Sequence, residues 1–298
     1  MWGLYCSRIR SKSGFSYCSF NLTTGNGPRS RLRWLKNGVP HGSVLAPLLF
    51  NIYTSDLSNT ISREYAYADD LAIIYADGDW LAVEWALNKD MATLGEYLQT
   101  WKLKLSTMAK VSAAFILNYK EAKRELKVKY NKTTLLFCSV PKYLRVTLDR
   151  SLTYRRHLKS LRKKLTSRVA LLRRLAGSGW GAGPTTLRIA TLALVHSTAQ
   201  YCAPVWCRSA HTRLIDPAIN DALRSATGCP RPAPADNLPI LAGIQPAELR
   251  CNGATLSLAR RATEPGHLLH SALTRPSSAN ARRLKSRHPS VPAAQPVA

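Results

Sequence analysis

Two adjacent aspartates, Asp69 and Asp70, interrupt an apolar and aromatic run that extends from Tyr65 to Tyr75. That interruption constrains the chain more than any other feature. Tyr65, Tyr67, Ile73, Ile74 and Tyr75 supply the aromatic and β-branched content that strands favour, whereas consecutive aspartates disfavour a strand interior and suit a turn. The stretch from Ala66 to Tyr75 therefore predicts a tight hairpin with acid at its tip. Two carboxylates on a rigid turn can hold a divalent cation, because Mg²⁺ takes one or two carboxylates and fills its other positions with water and substrate phosphate. A solvated surface turn is the plainer reading, and the Asp-Asp pair alone does not decide between the two.

Upstream, Gly38-Val39-Pro40-His41-Gly42 makes a Gly/Pro turn that runs into the apolar segment from Val44 to Tyr53. The glycines allow close backbone approach to a ligand, and Ser43 is a suitable N-cap for the helix that follows. These two stretches carry a resemblance. Residues 38–53, reading GVPHGSVLAPLLFNIY, are similar to the reverse-transcriptase motif GVPQGSVLSPLLFNIY, and Tyr67-Ala68-Asp69-Asp70 matches the YADD box of the same enzymes. The chain resembles the polymerase of non-LTR, LINE-type (jockey-like) retrotransposons from about Ser30 to Arg250.

The resemblance implies an α+β fold. A partial polymerase palm, an antiparallel sheet with packed helices, is expected over residues 30–150, an α-helical thumb or connection region over 151–262, and a disordered basic tail over 263–298. Residues 1–29 stay unassigned. The implied activity is RNA-directed DNA synthesis, in which a DNA primer 3′-hydroxyl is extended with dNTPs on an RNA template by a two-metal mechanism using Mg²⁺ or Mn²⁺. In the resemblance Asp69 is the principal metal ligand of the hairpin and Asp70 its supporting neighbour. Pro40, His41 and Gly42 lie beside the incoming nucleotide, with His41 where the family has Gln; histidine still donates a hydrogen bond but differs in length and titrates near neutral pH.

Two later segments extend the likeness. Trp101 to Lys110 resembles the next family motif, in which Lys110 is the lysine near the triphosphate that protonates the pyrophosphate leaving group; a solvated strand-edge lysine is the alternative. Ser106 and Val111 depart from that motif, which has Asn at the first position and Thr or Ser at the second. Residues 143–149, reading YLRVTLD, look like the primer grip YLGVxLD, so Tyr143 and Leu144 are the implied primer contacts and Arg145 replaces a glycine.

Between and beyond these motifs the pattern is read directly. Asp77-Gly78-Asp79 offers a turn and an N-cap, and Leu87, Met91, Leu94, Leu98 and Trp101 make one apolar stripe of a helix from Trp80 to about Lys104. Val111 to Leu117 reads as a buried strand, and Leu126–Tyr130 and Thr133–Phe137 as two strands about an Asn131-Lys132 turn. From Tyr154 the pattern is helical, with Leu158, Leu161, Leu165, Val169 and Leu172 on one side and Lys159, Arg162, Lys163, Lys164, Arg168, Arg173 and Arg174 over much of the rest. Basic residues on a helix are usually a solvated face. Following a polymerase palm, they imply template and primer phosphate contact, with Arg162, Lys163, Lys164 and Arg168 as candidates. Gly177 to Gly181 ends that helix, and Pro184 begins another that runs to Thr198.

Composition agrees with a polyanionic partner. Forty-three basic residues against 17 acidic ones give a formal charge of +26. Nucleic acid is the natural counterpart. No apolar run approaches the roughly 20 residues needed to span a bilayer. Arg8 and Arg10 interrupt the first residues before a signal-peptide core develops, so an intracellular protein, nuclear or cytoplasmic, is expected. Seven cysteines without paired spacing argue for free thiols. Cys202, Cys207, His211 and Cys229 follow no zinc-finger or knuckle spacing.

One absence bears on activity. No Asp or Glu precedes Asp56, whereas polymerases of this family carry an earlier strand-borne aspartate upstream of the glycine loop. The expectation is a C-terminal piece of a larger enzyme, inactive or nearly so alone because its metals are underligated. The alternative is a noncatalytic remnant that binds RNA or an RNA/DNA hybrid.

Overall fold

The computed structural model describes residues 19–20, 31, 33–34, 44–57, 60–101, 103, 105, 111–115, 124–131, 133–177 and 181–271, with the backbone alone at 19–20 and 33–34. The chain divides into two compact units, residues 1–145 with 150–152, and residues 146–149 with 153–298.

The first unit mixes helices and short strands. Strand β1 (Ser19–Phe20) pairs antiparallel with β2 (Arg33–Trp34), Ser19 opposite Trp34. Helix α1 (Ala46–Tyr53) has a proline at its start, where the missing N–H costs nothing, and none of its side chains is buried. Tyr53 and Leu57 pack against the unit's core, and Asp56 accepts from the Tyr97 hydroxyl at 3.0 Å. The predicted hairpin follows as β3 (Arg63–Tyr67) and β4 (Asp70–Ile74), antiparallel, with Tyr65 opposite Ala72 and Tyr67 opposite Asp70.

Helix α2 (Trp80–Thr100) starts at Asp79, whose carboxylate accepts from the Leu81 amide at 3.1 Å. That capping is typically worth about 1 kcal/mol. Its Leu87, Met91, Leu94 and Leu98 are buried with Leu71 and Ile73 of β4 and with Leu126, Val128, Tyr130 and Leu135. Each such side chain contributes about 1.5–3 kcal/mol on burial. The helix ends at Thr100 rather than near Lys104. The Leu103 amide turns back to the Leu98 carbonyl at 2.7 Å, and Leu103 and Leu105 are both buried, an alternation of period two that no longer suits a helix. Trp101 leaves the apolar stripe and packs edge-on against Tyr53, ring centroids 5.1 Å apart.

The expected longer strands are divided. Strand β5 (Val111–Ser112) pairs in parallel with β8 (Leu136–Phe137), while β6 (Lys129–Tyr130) pairs antiparallel with β7 (Thr133–Thr134). The run from Thr133 to Phe137 thus serves two partners. At the junction the Leu135 amide bonds to the Val128 carbonyl at 2.8 Å and the Leu135 side chain enters the core. Asn131, at φ 46°, supplies the left-handed turn residue. Leu117 and Lys132 lie outside the described residues. Strand β9 (Lys142–Tyr143) belongs to this unit.

The second unit is helical. After β10 (Val146–Thr147), Asp149 accepts from the Tyr154 amide at 2.8 Å and from the Thr153 hydroxyl, which sets the entry to α3 (Arg155–Leu175). Leu158, Leu161, Leu165, Val169 and Leu172 form the buried stripe of α3, as the spacing predicts. A second long helical path runs through α4 (Pro184–Ala190), a π-helical stretch (Thr191–His196) and α5 (Ser197–Gln200). It reaches Gln200, slightly beyond the predicted Thr198. In the widened stretch the Leu194 carbonyl accepts from Arg168 Nη1 and from the Thr198 hydroxyl, each at 3.0 Å, the kind of side-chain insertion that perturbs a regular ladder. Helices α6 (Ala203–Trp206), α7 (Asp216–Thr227), α8 (Leu238–Ala242) and α9 (Ala247–Ala262) complete the core around Trp206, Ile219, Leu223, Leu238 and Cys251.

Beyond α9, Thr263 to Ser271 are described, and residues 272–298 of the expected tail lie outside the described residues. No helix among the described residues is long and apolar enough to cross a membrane.

Candidate active site

The hairpin places its two aspartates differently. Because Tyr67 pairs with Asp70, Ala68 and Asp69 form the tip, with Ala68 in the left-handed region at φ 51°. Strand alternation puts Glu64, Ala66, Leu71 and Ile73 on one face, of which Leu71 and Ile73 enter the core. Asp70 lies on the opposite face with Tyr65 and Tyr67. Asp69 is exposed and Asp70 half-buried. Tyr67 keeps 67% of its surface. One carboxylate thus faces water while its neighbour is partly desolvated.

Tyr143, on β9, is brought to this face. Its hydroxyl donates to the Tyr65 carbonyl at 3.3 Å. Burial pushes its phenol above the usual range, and the Asp70 carboxylate adds to the effect. Two residues singled out from separate motifs, Asp70 and Tyr143, are therefore neighbours. The next two residues, Leu144 at φ 44° and Arg145 at φ 66°, are both left-handed. Consecutive left-handed residues make a turn that prefers Asn-Gly, so the glycine that Arg145 replaces is the residue this backbone suits.

On α3, Arg162, Lys163 and Lys164 are exposed, as is Lys159. Arg168 is half-buried and donates to the Leu194 carbonyl at 3.0 Å, within its own unit. Arg173 pairs with Asp221 at 3.1 Å. Pro40, His41, Gly42 and Lys110 lie outside the described residues, together with Ser43 and Ser106.

The residue that sequence reasoning missed is Asp90, in the middle of α2 and 1% exposed. It accepts from the Ile61 amide at 2.8 Å, the Ser62 amide at 3.0 Å and the Ser62 hydroxyl. Nearby Glu64 is raised above the usual carboxylate range, chiefly by burial, with the Asp90 charge adding to it. The signal was present: position 90 falls at i+3 from Leu87, inside the apolar stripe, where a carboxylate demands partners.

Whether these residues suit a divalent cation follows from donor chemistry. Asp69 and Asp70 supply hard oxygen donors of the kind that Mg²⁺ and Mn²⁺ accept, with coordination positions left for water and phosphate. Among the described residues no group of three or more His, Cys, Asp or Glu is arranged to hold a metal. The hairpin fits as part of a metal site.

Residues 8–148 match the family model of reverse transcriptase (RNA-dependent DNA polymerase). That match, to reverse transcriptases, spans just under half of the chain. Its relatives come from non-LTR retrotransposons. A probable RNA-directed DNA polymerase from transposon BS of Drosophila melanogaster is 30% identical over 213 residues, 66% of this chain and 23% of that protein. The RNA-directed DNA polymerase from mobile element jockey of Drosophila funebris is 32% identical over 155 residues, covering 49% of this chain and 17% of the relative. A putative 115 kDa protein in the type-1 retrotransposable element R1DM of Drosophila melanogaster is 28% identical over 173 residues, 57% of this chain and 17% of its own length. The chain thus spans about a fifth of the length of each of these three relatives. No solved structure matches it.

Proposed function

We propose that this chain is the part of an RNA-directed DNA polymerase that presents the hairpin carboxylates to the reaction and holds the primer and template. The observation that carries the reading is the Asp69-Asp70 tip with Tyr143 docked beside it, inside a domain of this family. Divalent cations, Mg²⁺ or Mn²⁺, supply charge stabilisation for in-line attack by a primer 3′-hydroxyl on the α-phosphate of a dNTP. Asp69, free to approach from water, is the principal ligand, and Asp70 supports it. Pro40, His41 and Gly42 border the nucleotide, and Lys110 donates a proton to the departing pyrophosphate. Tyr143 and Leu144 hold the primer end. Arg162, Lys163 and Lys164 meet backbone phosphates of template and primer, while Arg168 is held to the Leu194 carbonyl beside them. The domains that go with these roles are a partial palm over 30–150, a helical thumb over 151–262 and a basic tail from 263, in an intracellular protein.

A second reading has its own support. The chain holds no acidic residue before Asp56 and a formal charge of +26, so nucleic-acid binding requires less of it than catalysis does. In that reading it retains an RNA or RNA/DNA hybrid without extending it.

Primer extension on a primed RNA template with Mg²⁺ or Mn²⁺ and all four dNTPs tests both, run beside Asp69→Ala. The expected outcome for the chain alone is salt-sensitive retention of the template in both proteins, with extension at least about 100-fold below that of an intact enzyme. Extension that disappears in Asp69→Ala supports the polymerase reading.

A further inference from the structure

We propose that Asp90 is a positioning residue that sets where the hairpin carries Asp69 and Asp70. The inference rests on the reading of that hairpin as part of a phosphoryl-transfer site. Asp90 lies on α2 between Leu87 and Met91 and Leu94, all buried, and is itself 1% exposed. A carboxylate in such surroundings is costly unless it is fully hydrogen-bonded, and an apolar residue of similar size would serve packing as well or better. All three donors that satisfy it come from two residues, Ile61 and Ser62, which immediately precede β3.

The consequence is directional. Leu71 and Ile73 hold the hairpin against the α2 stripe through apolar contact, which resists separation but has little preference along the helix axis. Hydrogen bonds to two successive amides and a hydroxyl do have such a preference. They pin the base of β3 to one position on α2. The acid tip lies beyond Tyr67, so a shift at the base passes along the paired ladder to Asp69 and Asp70. A slip of one residue would reverse which side chains face the core. Glu64, with one buried oxygen that has no hydrogen-bond partner among the described residues, lies in the same ladder, and burial, with the Asp90 charge adding to it, raises its pKa.

Asp90→Asn keeps the side chain's size but turns an NH2 group toward one of the backbone donors. The comparison is Leu94→Ala, which weakens the same helix but leaves in place the groups that make the three hydrogen bonds to Asp90. Both are studied in the full chain, with denaturant adjusted to equal global stability. The first readout is amide hydrogen exchange across residues 61–74, and the second is Mn²⁺ binding followed by the electron paramagnetic resonance of the free ion. Asp90→Asn should exchange at least about tenfold faster than Leu94→Ala across that segment and bind Mn²⁺ about tenfold more weakly. Equal exchange in the two variants at equal stability overturns the proposal. If the unaltered chain neither binds Mn²⁺ nor extends a primer, the polymerase reading fails, and the exchange contrast still decides the role of Asp90. Should Asp90→Asn not fold, Ser62→Ala removes only the hydroxyl donor. It should raise exchange about threefold in the same segment, and no change there overturns the proposal.

Discussion

At Arg145 a single side chain opposes the backbone it occupies. Left-handed φ costs a non-glycine residue about 1–2 kcal/mol, part of which glycine returns through its greater freedom in the unfolded chain. Arg145→Gly should therefore raise stability by about 0.5–1 kcal/mol, seen as a higher midpoint in urea with an unchanged slope. His196 is a second residue in tension with its surroundings. It is 1% exposed, both ring nitrogens lack hydrogen-bond partners among the described residues, and burial followed by the nearby Arg250 charge pushes its pKa down to about 4. Its unfolded value is about 6.5, so between these the unfolded chain binds more protons and stability rises with pH. The neutral imidazole's contribution is complete above about pH 6.5 and is lost as pH falls toward 4, an effect of order 3 kcal/mol. His196→Leu should flatten that acid limb in urea melts at pH 4.5 and 7, and at pH 7 should stabilise by about 1 kcal/mol because no polar atom is left unpaired.

Elements differ in how far neighbouring residues specify them. The β3–β4 hairpin was legible because strand formers flank a turn former, and the start of α2 because Asp79 caps it. The stripe of α3 was legible because its period survives over five buried aliphatics. The end of α2 was not. Trp101 continues the helical spacing, and what stops the helix is a bond from Leu103 back to Leu98 together with a core that takes Leu103 and Leu105. Strands β5 to β8 were misjudged in extent for a related reason: Thr133 to Phe137 divides between an antiparallel and a parallel partner, a choice that its own side chains do not encode. Among the candidate phosphate contacts of α3, exposure separates Arg162, Lys163 and Lys164 from Arg168, whose guanidinium bonds to Leu194. Replacing the first three together by Ala should leave the fold intact and reduce the salt slope of RNA/DNA hybrid binding by about 2–3 in log–log terms. An unchanged slope would place the nucleic acid elsewhere.

Over the whole molecule, two units each bury a core of their own, one of mixed strands and helices and one helical. Charge is a property of the entire chain, and its excess of basic residues points to a polyanion as the partner class without any knowledge of fold. The likeness to reverse transcriptases was likewise carried by short motifs, the glycine loop and the YADD box, whose wording survives independently of what packs around them. Local spacing was enough for what depends on residues within about a turn or a strand of one another: the hairpin, the Asp79 cap, the amphipathic stripes, the acid pair and the net charge. Packing across the chain was needed to bring Tyr143 beside Asp70, to turn Arg168 toward Leu194, and to bind Asp90 to Ser62 across 28 positions of sequence. Those outcomes depend on which buried polar group finds which donor once the apolar faces have closed, and partners that distant leave no local periodicity to read.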